Sequence, residues 1–144
     1  MNDNDHFLQA AKLTVVFVLL YALTMVNIVV AKKRLLRQHQ QEKKVFDRYQ
    51  SPQMQTADRL QGNFLEWAPI FLGLLWSLAA TSNLSKASLV AAWLYLALRL
   101  LYVVLILKHG VATNGANRPL WISTFPSYLC LLYMTQQAIR SILM

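Results

Sequence analysis

The chain has 144 residues, of which 56% are hydrophobic, and its mean hydropathy is +0.36. This composition excludes an ordinary small soluble domain and indicates one compact membrane domain that covers residues 1–144. The formal net charge is +8, yet the sequence carries no signature of a nucleic-acid-binding fold, so no nucleic acid is expected as a partner. Because the positive charges adjoin apolar runs, the expected neighbour is a lipid bilayer.

Four apolar runs follow one another along the sequence. They cover residues 7–31, 60–81, 87–108 and 120–143, and each is close to the roughly 20 residues that a helix needs to cross a bilayer. The sequence therefore predicts an all-α protein, a bundle of four transmembrane helices. With an even number of spans, both termini are expected on the same side of the membrane.

The connection between the first two runs, residues 32–59, is rich in Lys and Arg. By the positive-inside rule this connection faces the cytoplasm, so both termini face the lumen or the exterior. The expected location is the endoplasmic reticulum or another intracellular membrane in a eukaryote, and the inner membrane in a bacterium.

Polar residues stand at the start of the second run, where a bilayer penalises them. Arg59, Asn63 and Glu66 recur at i, i+4 and i+7, which places them on one stripe of a helix. At a rise of 1.5 Å per residue, Glu66 lies about 10 Å below Arg59, and Arg99 of the third run lies about 13 Å below its cytoplasmic end. Glu66 and Arg99 are therefore expected to meet, as a structural ion pair or within a binding site. Tyr102 lies one turn nearer the cytoplasm and can hydrogen-bond a polar ligand.

Metal chemistry is not expected. Cys130 is the single cysteine, and His6, His39 and His109 are scattered without the spacing of a metal site. The sequence also has no nucleophile elbow, phosphate-binding glycine loop or dinucleotide fingerprint. The polar residues of the second and third runs are thus the candidate functional site.

The second and third runs carry a pattern that resembles the MAPEG superfamily of membrane proteins, which act in eicosanoid and glutathione metabolism. The resemblance implies a homotrimer of four-helix protomers, with glutathione bound between neighbouring subunits near the cytoplasmic face. The residues that carry it are Arg59-x-Gln61-x-Asn63-x-x-Glu66-x-x-Pro69-x-Phe71-Leu72, then Leu75-Trp76, and later Arg99-x-x-Tyr102.

The resemblance also implies a role for individual residues. Arg118 is the candidate that stabilises the glutathione thiolate. The chemistry of the tripeptide agrees with the set that would bind it, because its two carboxylates, ammonium and amides call for guanidinium, carboxylate and amide partners. The glutathione-binding set implied for this sequence is Arg59, Gln61, Asn63, Glu66, Arg99, Tyr102 and Lys33.

Several positions depart from leukotriene-C synthase, a member of that superfamily. Ile106 and Trp67 each stand where the synthase has a tyrosine, and Lys32-Lys33 stands where it has an arginine pair. Arg118 lies at a different spacing from Tyr102. These departures argue against leukotriene synthesis.

The expected function is a membrane-bound glutathione transferase that acts on hydrophobic electrophiles from the bilayer, with glutathione as cosubstrate and no metal. The same site is also compatible with glutathione peroxidase activity toward a lipid hydroperoxide. Two alternatives remain at this stage. One is a non-catalytic lipid-binding scaffold that resembles the 5-lipoxygenase activating protein, and the other is an accessory subunit of a membrane complex.

Overall fold

Four α-helices make up the structure, and no strand lies among the described residues. The computed structural model describes residues 3–43, 45–47, 49–109 and 118–143, with the side chains of residues 3, 118 and 119 excepted. Each predicted span lies on a separate helix, so the predicted all-α four-helix bundle is confirmed. The helices are α1 (Asp3–Gln41), α2 (Pro52–Ala80), α3 (Lys86–His109) and α4 (Arg118–Leu143).

Among the described helices, α1, α2 and α3 are each long and apolar enough to cross a membrane. Helix α4 is also long enough, with 26 residues, but Ser, Thr and Gln residues make it less apolar. Three of these hydroxyls, on Ser123, Ser127 and Thr135, donate to backbone carbonyls about one turn earlier at 3.0, 2.8 and 2.9 Å. The helix therefore satisfies these polar groups itself, which lowers the cost of burying them.

Helix α1 is longer than the predicted first span. It has 39 residues and so measures about 58 Å, whereas a bilayer with its headgroups is about 40–45 Å thick. Much of the basic segment that follows the first span continues this helix to Gln41. Helix α2 begins at Pro52, directly after Ser51, whose side chain accepts a hydrogen bond from the Met54 amide at 3.4 Å. Arg59 consequently lies on a helix rather than in a loop.

The helices pack most extensively in two pairs, α1 with α2 and α3 with α4, and α2 also contacts α3 and α4. Aromatic rings fill the centre. Phe71 of α2 stacks on Tyr95 of α3 at a centroid distance of 4.5 Å and on Phe17 of α1 at 5.5 Å. The outer surface is also apolar, as Val18 and Leu23 on α1 illustrate. Such a surface is solvated by lipid or covered by another protein chain.

A tight connection joins α2 to α3. Ser82 adopts the left-handed conformation at φ 54°, and the Asn83 amide donates to the Leu78 carbonyl at 2.9 Å, which closes the last turn of α2. The Ser85 hydroxyl then accepts a hydrogen bond from the Ser88 amide at 3.1 Å. Ser85 is therefore the N-cap of α3.

Candidate functional site

A buried arginine lies at the centre of the candidate site. Arg99 of α3 is 1% exposed, and its Nη1 donates to the Asn63 Oδ1 of α2 at 2.6 Å. Asn63 is itself 6% exposed. This short charge-assisted hydrogen bond links α2 to α3 inside the bundle.

Two aromatic rings also contact the Arg99 guanidinium. Its central carbon lies 4.9 Å from the ring centre of Tyr95 and 5.7 Å from that of Trp67. Trp67 packs in turn on Tyr128 of α4, at 4.6 Å between ring centres. A cation beside aromatic faces is stabilised by their negative electrostatic potential.

The sequence patterns favour packing roles for Trp67 and Tyr95, and they indicate no role for Tyr128. A signal for two of them was present, because Trp67 lies four residues after Asn63 and Tyr95 lies four residues before Arg99. Residues four apart are neighbours on one helix face. Nothing in the spacing along the chain indicated Tyr128, which reaches the site through the packing of α4.

Two donors of Arg99 lack an acceptor within the described part of the chain. These are Nε and Nη2, both buried. A buried guanidinium whose charge is not matched by an acidic group is costly in a bundle that spans a membrane. Two adjacent N–H groups in a fixed fork fit a carboxylate, which binds arginine in a bidentate manner. The arrangement is therefore suited to an anionic group.

The expected ion pair between Glu66 and Arg99 is replaced by two separate contacts. Arg99 bonds Asn63, while the Glu66 Oε1 lies 3.9 Å from the Arg59 Nη1. The side chains of Arg59 and Glu66 are 58% and 55% exposed. Similar depth in the membrane was not sufficient to pair the charges, because Asn63 faces α3 whereas the Glu66 carboxylate remains at the accessible edge of α2.

Tyr102 joins these groups from α3. It is 5% exposed and lies within electrostatic range of Arg59, Glu66 and Arg99. One side of the residue packs in a small apolar cluster with Leu60 and Ile106. The structure thus brings together five residues of the predicted site, which we call the polar cluster: Arg59, Asn63, Glu66, Arg99 and Tyr102.

Gln61 and Lys33 lie elsewhere on the protomer. Gln61 is two residues, or about 200°, around α2 from Arg59, and its Nε2 donates to the hydroxyl of Tyr21 on α1 at 3.4 Å. Lys33 is exposed on α1, two residues before the buried Leu35. The Gln61 side chain therefore points away from the polar cluster of its own protomer, while Lys33 lies on the exposed surface of α1.

Arg118 is the first residue of α4, but its side chain lies outside the described residues. Its predicted contact with a thiolate therefore stays a prediction. Within the part of the chain that the structure describes, no group of three or more His, Cys, Asp or Glu side chains is arranged to hold a metal ion.

Comparison with protein families assigns most of the chain to a single family. The family model of the MAPEG family matches residues 10–140. This range includes every residue of the polar cluster and parts of all four helices. The resemblance inferred from the second and third runs is thereby confirmed at the level of the family. A comparison with curated proteins returned no match.

Proposed function

The chain belongs to the MAPEG family, and from that premise we propose that it is a membrane-bound glutathione transferase. Its acceptors are hydrophobic electrophiles that arrive through the bilayer, and the same activated thiol also reduces lipid hydroperoxides. The observation that carries the proposal is the buried Arg99, whose Nε and Nη2 meet no acceptor among the described residues. An anionic group of a ligand supplies the missing partner.

Glutathione matches the polar cluster group by group. Its two carboxylates pair with the guanidinium groups of Arg99 and Arg59, and its ammonium pairs with the Glu66 carboxylate. The Asn63 amide and the Tyr102 hydroxyl remain for its peptide groups. Because the Arg59–Glu66 pair is more than half exposed, separating it costs no more than about 1 kcal/mol.

We propose that each site is shared between two copies of the chain in a homotrimer. Gln61 and Lys33 belong to the glutathione-binding set that the family resemblance implies, yet Gln61 points away from the polar cluster of its own protomer and Lys33 lies on the exposed surface of α1. One tripeptide can contact both groups only if a neighbouring protomer supplies Gln61 and Lys33. The exposed apolar surface of α1 gives such a neighbour a face to pack against.

Activation of the thiol requires a positive charge beside the sulfur, because a cation stabilises the thiolate and lowers the pKa of the thiol. We assign this role to Arg118. It opens α4, at the end of the bundle where α3 finishes. The basic extension of α1 is at this same end, which supports a site on the cytoplasmic side and termini on the lumenal or external side.

Titration of glutathione into the detergent-purified protein tests the proposal, with ultraviolet absorbance of the thiolate as the measurement. Arg118→Ala should abolish the thiolate signal while glutathione still binds, and Glu66→Gln should weaken binding about tenfold because a charge-assisted contact is lost. Lys86→Ala is the matched control, since Lys86 is an exposed cation at the opposite end of α3. Absence of binding to the wild type at millimolar glutathione would sink the transferase proposal.

The second candidate function is the non-catalytic, lipid-binding scaffold. It is favoured by Ile106, which is 0% exposed and packs with Leu60 and Tyr102. An aliphatic side chain there fills space without offering a hydroxyl to a ligand. A protein that binds no glutathione but retains a lipid through purification would support this scaffold function, and a stably copurifying protein would support an accessory subunit.

A further inference from the structure

A separate, largely apolar cavity that also contains polar side chains lies outside the polar cluster, where α1, α2 and α3 meet near their cytoplasmic ends. Its volume is about 260 Å³. It has amide, hydroxyl and guanidinium groups along one part and aliphatic side chains along another. We call it the junction groove, and the side chains that matter for its chemistry are Asn27, Val30, Arg34, Gln53, Thr56 and Leu107.

The junction groove is positively charged. No acidic residue is among its lining side chains, nor among those of the adjoining cavity of about 360 Å³, which Arg34 shares with Lys33 and Arg37. Among the residues that the structure describes, no carboxylate lies within ion-pair distance of Arg34. Clustered cations without acidic neighbours attract an anion, and more strongly in a concave surface.

The groove also offers neutral hydrogen-bond donors. The amides of Gln53 and Asn27 each carry two N–H groups, and both residues line the groove together with Arg34. The Thr56 hydroxyl donates to the Pro52 carbonyl at 2.8 Å, so it is not counted among the donors to an anion. The donors available to an anion are therefore one guanidinium and two amides.

The position of the groove in the membrane distinguishes among anions. Arg34 follows Asn27 by seven residues, which is about 10 Å along α1, whereas the headgroup layer on each side of a bilayer is roughly 5–7 Å thick. Asn27 and Val30 lie within the predicted span 7–31, and Arg34 lies three residues beyond its end, so we expect the groove to cross the boundary between hydrocarbon and headgroups. Val30 and Leu107 also line the groove, and a free phosphate ion would leave these aliphatic side chains exposed, whereas an acyl chain would cover them.

We propose that the junction groove binds an anionic phospholipid of the cytoplasmic leaflet. Arg34 and the Gln53 amide hold the phosphate, the Asn27 amide bonds the ester region, and the first acyl carbons pack on Val30 and Leu107. This lipid joins α1 to the first turns of α2. The proposal does not depend on glutathione chemistry, because none of these residues belongs to the polar cluster.

Native mass spectrometry of the detergent-purified protein tests the proposal, with phosphatidylglycerol and phosphatidylcholine added in separate titrations. Phosphatidylglycerol should bind the wild type at least about tenfold more tightly than phosphatidylcholine, because only the former is anionic. Arg34→Gln should weaken phosphatidylglycerol binding about tenfold through loss of a charge-assisted contact. Arg37→Gln is the matched control, with the same change of charge one turn further along α1, and should change binding less than twofold.

Three results would overturn the assignment. Equal losses in Arg34→Gln and Arg37→Gln would mean diffuse attraction to the basic helix, and equal binding of the two lipids would mean that charge is not recognised. Displacement of the lipid by equimolar inorganic phosphate would make the site one for a free phosphate. Should Arg34→Gln fail to fold, Gln53→Ala tests the same groove without a change of charge, and it should weaken lipid binding about threefold.

Discussion

Arg99 brings most of the polar cluster together, and its surroundings offset its burial only in part. Removing a cation from water into the interior of a real protein costs roughly several kcal/mol of hydration free energy. Asn63 returns one hydrogen bond, and Tyr95 and Trp67 supply aromatic faces. No acidic side chain contacts Arg99 within the described part of the chain. A residue kept under such conditions in a membrane bundle is expected to serve binding more than stability.

Asn63→Ala should destabilise the fold by about 1–3 kcal/mol, because it removes the acceptor of the buried Arg99 Nη1. Thermal unfolding in detergent micelles measures this effect. Gln61→Ala is the control, since it removes an amide two residues away whose bond to Tyr21 is longer, at 3.4 Å; its effect should be well under 1 kcal/mol. Equal effects in the two variants would contradict the special role given to the Asn63–Arg99 bond.

Removal of both partners should separate stability from function. In the double variant Asn63→Leu/Arg99→Met no buried polar group is left unpaired by the change, so stability should stay within about 1 kcal/mol of the wild type. Glutathione binding should fall by at least about tenfold through loss of the guanidinium. Calorimetric titration and thermal unfolding of the same preparation measure both quantities. Retained binding would show that Arg99 does not contact the ligand.

Residue spacing predicted which polar groups assemble but not how they pair. The i, i+4, i+7 pattern of Arg59, Asn63 and Glu66 correctly placed them near Arg99 and Tyr102. The spacing predicted an ion pair between Glu66 and Arg99, but in the structure the buried Asn63 is the hydrogen-bond partner of Arg99. The outcome depends on which side chains water can reach, and this is decided by packing between helices rather than by the periodicity of one helix.

At the scale of the helices, the sequence predicted the apolar segments well and their polar ends poorly. All four spans lie on helices, yet α1 continues to Gln41 beyond the apolar run. Residues 32–41 contain mainly Lys, Arg, Leu and Gln, which have good intrinsic helix propensity. These residues extend the helix although they are not apolar. Hydropathy detects only apolar runs, so it did not predict this extension.

The connection between α2 and α3 provides a test at this scale. Ser85→Ala should lower the free energy of unfolding by about 1 kcal/mol, because the Ser88 amide loses its capping acceptor. Ser77→Ala, at an exposed position within α2, should have almost no effect and is the control. Denaturant titration followed by circular dichroism distinguishes the two. Equal stability of both variants would mean that Ser85 does not cap α3.

At the scale of the whole molecule, the proposed assembly is motivated by candidate binding residues that lie on different sides of one protomer. Gln61 contacts Tyr21 on α1, while Arg59 and Glu66 lie on the other side of α2. Hydropathy and helix periodicity predicted the four-helix protomer. They cannot predict which surface of one copy packs against another, because lipid-facing and subunit-facing residues are both apolar. The proposed homotrimer thus rests on the family resemblance and on this division of the candidate binding residues.

Mixing of variant subunits tests the shared site. Arg59→Ala and Gln61→Ala should each lose most glutathione transferase activity, because each damages one side of every site. When the two are coexpressed, random assortment in a closed ring restores roughly a quarter of the sites, where an intact Arg59 faces an intact Gln61. Activity per trimer should rise accordingly. If activity does not rise above that of either variant alone, all binding residues lie within one protomer.

The exposed Arg59–Glu66 pair resembles the charge pattern of a zwitterion. A ligand with one carboxylate and one ammonium can replace this single ion pair by two. Its carboxylate pairs with Arg59 and its ammonium pairs with Glu66. The net charge of the site stays unaltered. Since water and salt reach both side chains, dissolved ions compete with the ligand at this outer position. They do not reach the enclosed Arg99. Salt should therefore weaken the first encounter of a ligand with the protein more than it weakens the final bound state.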